Sequence, residues 1–169
     1  MIIALQIALC LGTVVAQATL STMLAINGIY PDLCLVLACL LGFFTNEYKG
    51  FLFGLMVGLF QDLLAPGGVG INMILKGLAG GLAGMTAHTI STVTTLAVII
   101  VTLALSLGCG LASLIMAYPE LDGPEALRAI FRILGPQALY NSLLAAGFFW
   151  FTHMLRNSLG VVHFIQGRR

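Results

Sequence analysis

The stretch Gly50-Phe-Leu-Phe-Gly54-Leu-Met-Val-Gly58-Leu-Phe-Gln-Asp62-Leu-Leu-Ala-Pro66-Gly-Gly-Val-Gly70 decides how this chain folds. Glycine recurs at every fourth position along an apolar helix, and the helix closes on the carboxylate of Asp62. Inside a bilayer, helices associate by close approach of their backbones, which small residues permit, so the spacing marks a helix built to press against another. A carboxylate at the end of such a stripe is costly in hydrocarbon and is expected to be a structural or functional keystone.

The rest of the composition agrees with a membrane setting. Of 169 residues, 60% are hydrophobic and only 8% charged, outside the balance of a soluble globular domain. A helix needs about 20 residues to cross the apolar layer, so about six spans occupy the chain and leave no stretch for a soluble domain. The expected fold is therefore an all-α integral membrane protein with six transmembrane helices. A net charge of +1 offers no basic patch for nucleic acid. Cys10, Cys34, Cys39 and Cys109 lie in apolar segments without a C-x-x-C pair and read as buried thiols, while His88, His153 and His163 are too scattered for a metal site. No cofactor is expected.

The first span is expected over residues 3–26, kept as a span because no Lys or Arg precedes it as in a cleaved leader. Asn27-Gly28 punctuates the chain, Pro31 opens a second span over 31–44, and Asp32 favours the positive end of its helix dipole. Span three covers 50–64 after a short turn from Thr45 to Lys49. The Gly- and Pro-rich residues 65–70 form a tight hairpin into span four, 71–87. Span five covers 92–117, a polar linker runs from Tyr118 to Arg128, and span six covers 133–154. Lys49, Arg156, Arg168 and Arg169 would lie on one side and Arg128 and Arg132 on the other. The side richer in Lys and Arg faces the cytoplasm, so both termini are expected inside.

Span four repeats the logic of span three. Asn72, Lys76, Gly80, Gly84 and His88 recur every four residues, with Gly77 and Gly81 beside them. Because the hairpin reverses direction, Asp62 and Lys76 come to similar depth, and they are expected to pair. The pair, with Asn72, is either a polar site for a ligand or partner, or an ion pair that fixes hairpin register. A proton path through Asp62, Lys76 and His88 is disfavoured, because a glycine stripe packs shut. On span one, Gln6, Cys10, Thr13, Gln17 and Ser21 share a face suited to hydrogen bonds between helices. Gln137, Tyr140 and Asn141 near the start of span six either line a cavity at the same end or serve as helix contacts. No H-E-x-x-H, G-x-S-x-G or P-loop signature occurs, so no enzyme is expected.

Pro31-Asp32 opening span two, Gly50-x-x-x-Gly54-x-x-x-Gly58-x-x-Gln-Asp62-Leu-Leu, and Gly70-x-Asn72 opening span four together resemble the bacterial rod-shape-determining MreD family. The resemblance in motifs covers about Tyr30 to Gly84, and Lys76 departs from it, standing where an apolar or aromatic residue is expected. It implies a fold of six helices similar to the substrate-binding component of energy-coupling-factor vitamin transporters. It also implies a non-catalytic role in the inner membrane, binding MreC and coupling MreB filaments to the cell-wall synthases, with no nucleic acid involved and membrane lipids as surroundings. Carried over by position, the signature residues are Pro31, Asp32, Gly54, Gly58, Asp62, Gly70 and Asn72. On this reading the glycine surfaces, Gly50, Gly54 and Gly58 with Gly77, Gly80, Gly81 and Gly84, hold the MreC transmembrane helix. Gly54→Leu or Gly58→Leu should then abolish co-purification while leaving the protein inserted. The competing class is a vitamin or lipid-headgroup binder, with a cavity lined by Asp62, Asn72, Lys76, Gln137 and Asn141.

Overall fold

Helix α2, Leu33–Phe44, runs through the middle of the molecule, and eight of its twelve residues are buried. Being apolar on all sides, it needs neighbours on all sides, and it packs against each of the four other long helices. The computed structural model describes residues 11–17, 19, 23–64, 70–90, 92–120 and 122–158. The other helices are α1 (residues 11–17), α3 (Glu47–Leu64), α4 (Ile71–Thr89), α5 (Thr95–Ala117), α6 (Gly123–Ala129) and α7 (Gly135–Ser158), and no strand occurs among the described residues. The described residues are all-α. On length and composition, one of these helices qualifies as a membrane span: α5, with a mean hydropathy of 2.4. Helix α2 is apolar but only 12 residues long, and α3 carries Glu47, Lys49 and Asp62 within its 18 residues.

Most helix ends fall close to the expected bounds. Asn46 starts α3 three residues early, because its side chain accepts a hydrogen bond from Lys49 N–H (2.9 Å) and so caps the helix. Two expectations need correction. The first helix does not run to residue 26: Asn27 and Gly28 both have positive φ and fold the chain back on itself, pairing Ile26 with Ile29 in a two-residue hairpin. The polar linker after α5 is partly helical, since Pro124 sits in the first turn of α6, Glu125 beside it and Arg128 in the last turn. Each of those is helix-terminus chemistry.

Between α6 and α7 lies one turn of π-helix, Ile130–Leu134, where Gly135 N–H reaches back five residues to the Ile130 carbonyl. Pro136 explains it: a proline ring collides with the carbonyl four residues earlier, and widening the preceding turn makes room. Residues 65–69 of the expected 65–70 hairpin loop, the start of span one with Gln6 and Cys10, Ser21, and the C-terminal basic residues Arg168 and Arg169 lie outside the described residues.

The tightest packing is between α3 and α4. A methyl group on Gly54 would overlap the Lys76 carbonyl and the Gly77 backbone, and one on Gly58 would overlap the backbone of Asn72 and Met73. Gly50 and Gly80 face each other in the same way, and Gly42 of α2 presses on Gly80 and Gly84. Gly77 and Gly81 receive the side chains of Leu55 and Phe51. The stripe is thus filled from within the chain. On the other side of α2, Leu35, Cys39 and Phe43 pack with Ala79, Ala83, Val98, Ala145 and Phe149, and Phe149 stacks on Phe44 at a ring distance of 5.6 Å.

Candidate functional site

Asp62 sits in the last turn of α3, 4% exposed, facing the first turn of α4. A helix start leaves backbone N–H groups without intrahelical partners and carries partial positive charge, and both are answered by an anion. Asp62 supplies it from the neighbouring helix. Its Oδ2 accepts from Gly70 N–H (2.8 Å) and Met73 N–H (3.0 Å), and its Oδ1 from Asn72 N–H (3.3 Å) and the Asn72 side-chain amide (2.8 Å). Gly70 holds φ +114° at the cap, a conformation that a side chain would strain.

Lys76 is 4% exposed and pairs with Asp32 rather than Asp62, Nζ to Oδ2 at 3.0 Å. Helical spacing gave Lys76 the right depth, but Asn72 stands between it and Asp62. The Asn72 amide nitrogen donates to Asp62, while its oxygen accepts from Lys76 Nζ. Asp32 meanwhile performs the capping expected of it, its Oδ1 accepting from Leu35 N–H at 3.0 Å. One carboxylate therefore serves two elements. Alternation of up and down helices puts the start of α2 at the same end of the bundle as Lys76, and that was the available signal for this pairing.

The chain of polar contacts continues. The Asp32 backbone N–H donates to Asn141 Oδ1 on α7 (2.8 Å), and Asn141 Nδ2 donates to Ser106 Oγ on α5 (2.7 Å). Gln17 of α1 clamps the start of α2, donating to the Pro31 carbonyl (3.1 Å) and accepting from Leu33 N–H (2.7 Å). Gln137 and Tyr140 donate to the carbonyls of Tyr30 and Leu24. Of the three polar positions on α7, Asn141 is buried and Gln137 and Tyr140 tie down the 23–32 segment. Ser106 was missed by sequence reasoning, though Val98, Thr102 and Ser106, four positions apart, form the buried stripe of α5.

At the same end of the bundle is a partly enclosed cavity of about 340 Å³. Asn72, Lys76, Gln137 and Asn141 line it as expected, and so do Asp32 and Gln61. Asp62 does not, because its carboxylate is turned to the α4 terminus. Its two ionised walls, Asp32 and Lys76, neutralise each other. His88 is exposed at the far end of α4, three turns or about 18 Å from Lys76, with Gly80 and Gly84 packed shut between them. Among the described residues, no three of His, Cys, Asp and Glu converge as metal ligands.

Removing one member of a buried ion pair leaves the other charge uncompensated. Lys76→Met is expected to destabilise the protein toward the lower end of about 3–5 kcal/mol, because Asp32 keeps some contact with solvent. Adding Asp32→Asn should restore at least half of that loss. Reversible unfolding in mixed micelles checks both values, and a double variant as unstable as the sum of the singles would show that the two groups are not coupled.

A family model described as rod shape-determining protein MreD matches residues 1–159 of the chain. No curated protein and no solved structure gives a match.

Proposed function

The chain belongs to the rod shape-determining protein MreD family, and from that membership we propose that it is a non-catalytic scaffold of the cell-elongation machinery. In this reading it binds MreC and helps couple MreB filaments to peptidoglycan synthesis by the cell-wall synthases. It is a multi-pass protein of the bacterial inner membrane, with α1, α2, α3, α4, α5 and α7 as six spans and both termini in the cytoplasm. The observation that carries this is the family match over residues 1–159. What supports it in the geometry is that Asp62, Asn72 and Asn141 are spent on holding helix ends and neighbouring helices in place.

The MreC transmembrane helix cannot use Gly54 or Gly58, since α4 already occupies both. We place it instead on the outward face of the same hairpin, where Ile74, Leu78, Leu82 and Met85 form an exposed apolar stripe on α4. The tagged protein, solubilised gently from its host, is expected to bring down MreC. Leu78→Trp combined with Leu82→Trp should lower that recovery at least fivefold, whereas Leu96→Trp with Ile100→Trp on α5 should leave it unchanged. Full recovery with the α4 variant moves the partner helix to another face, and a wild-type preparation without MreC removes the scaffold reading.

A further inference from the structure

We propose that the cavity between α2, α4, α5 and α7 binds an uncharged, hydroxyl-rich group of the size of a sugar ring. This inference is independent of the scaffold role and rests on what the cavity walls have left to offer. Charge comes first. Asp32 and Lys76 pair at 3.0 Å within the wall, so an ion entering the cavity would lose hydration without meeting a net opposite charge.

The remaining hydrogen-bonding capacity is mixed. Gln61 in the last turn of α3 lines the cavity, and its Oε1 is buried without a partner among the described residues. A buried acceptor of this kind is a standing cost, and a ligand donor that draws the Gln61 amide round into the cavity removes it. Lys76 has three N–H donors and commits two, to Asp32 and Asn72. Ser113 on α5 adds a hydroxyl that can do either. A ligand that both donates and accepts at closely spaced points matches this set, and hydroxyl groups on a ring do so.

The shape agrees. A volume of about 340 Å³ falls within the range of small-ligand sites, about 300–1,000 Å³. Two tyrosines line the cavity, Tyr30 and Tyr118, and each is more than half exposed, which places them at the rim rather than the floor. Aromatic faces with a polar tip suit a group that is apolar on its ring faces and polar at its edge. Leu35, Leu114 and Leu134 provide the apolar remainder of the wall.

The test uses the full chain in phosphatidylcholine nanodiscs and saturation-transfer NMR with three probes: methyl glucoside, octyl glucoside and methyl phosphate. The wild-type protein should transfer saturation to the ring protons of a glucoside well above empty discs, and methyl phosphate should receive none. Gln61→Leu and Ser113→Phe, which alter two different helices and none of the polar ties described above, should each cut the glucoside signal at least fivefold with unchanged elution and melting of the discs. Signal on both glucosides, lost in the variants, upholds the site with a free ligand as its source. Signal on octyl glucoside alone, lost in the variants, upholds it with a lipid-linked one. No transfer to either glucoside, transfer undiminished in both variants, or methyl phosphate at the glucoside level overturns the proposal.

Discussion

Asp62→Ala is expected to cost the folded protein at least about 3 kcal/mol, well above the 1 kcal/mol or so of an ordinary helix cap. Four donors converge on this carboxylate, three from the backbone at the start of α4 and one from Asn72. A hydrogen bond to a charged group contributes about 1.5–3 kcal/mol, and each buried donor left bare adds its own desolvation cost. Water reaches few of these groups, because Asp62 is buried between two helices. Asp62→Asn retains one acceptor oxygen and should lose roughly half as much. The check is the free energy of reversible unfolding in mixed micelles. A loss below about 1 kcal/mol for the alanine variant would reduce Asp62 to an ordinary cap.

Gly54→Ala and Gly58→Ala should each destabilise by about 3 kcal/mol or more, at the top of the range for overpacking. The new methyl groups meet backbone atoms of α4, which cannot rotate away as a side chain would. Gly108→Ala and Gly147→Ala make the contrast, since a Cβ at either position has open space around it. There the gain in helix propensity predominates, and a stabilisation of up to about 1 kcal/mol is expected. Melting of the four variants side by side decides the matter. If Gly54→Ala melts like Gly108→Ala, the hairpin is looser than its geometry. For the same reason Gly54→Leu does not isolate partner binding, as the glycine reading of the sequence expected: it breaks the hairpin first.

Much of this was legible from residue spacing. Glycine at every fourth position marked α3 as a helix that packs closely on another, though the face was assigned to the MreC helix and is taken by α4, and Pro31-Asp32 marked the start of α2, because both signals are local and steric. Asp62 was recognised as a keystone, yet its partner was misjudged. Periodicity gives a residue's depth and its face on a helix, but not which neighbour's carboxylate lies across the gap. Asn72, one turn before Lys76, takes the place that a direct Asp62–Lys76 contact would need. Helix α6 was read as linker because Pro, Gly and acidic residues are also what a loop contains, and only their order within the first and last turn distinguishes the two. Ser106 escaped notice since a lone polar residue in an apolar run carries no pattern until its neighbours are placed, and Gln61, quoted in the family motif, was given no role of its own.

The bond between the Asp32 backbone and Asn141 joins residues 109 positions apart, and this separation sets an order of assembly. The α3–α4 hairpin closes contacts between near neighbours in the chain and can form as soon as both helices have left the ribosome. The polar end of the molecule cannot. Until α7 arrives, the amide at the start of α2 has no acceptor and Ser106 has no donor, so a chain stalled before residue 141 carries a complete hairpin with an unfinished end.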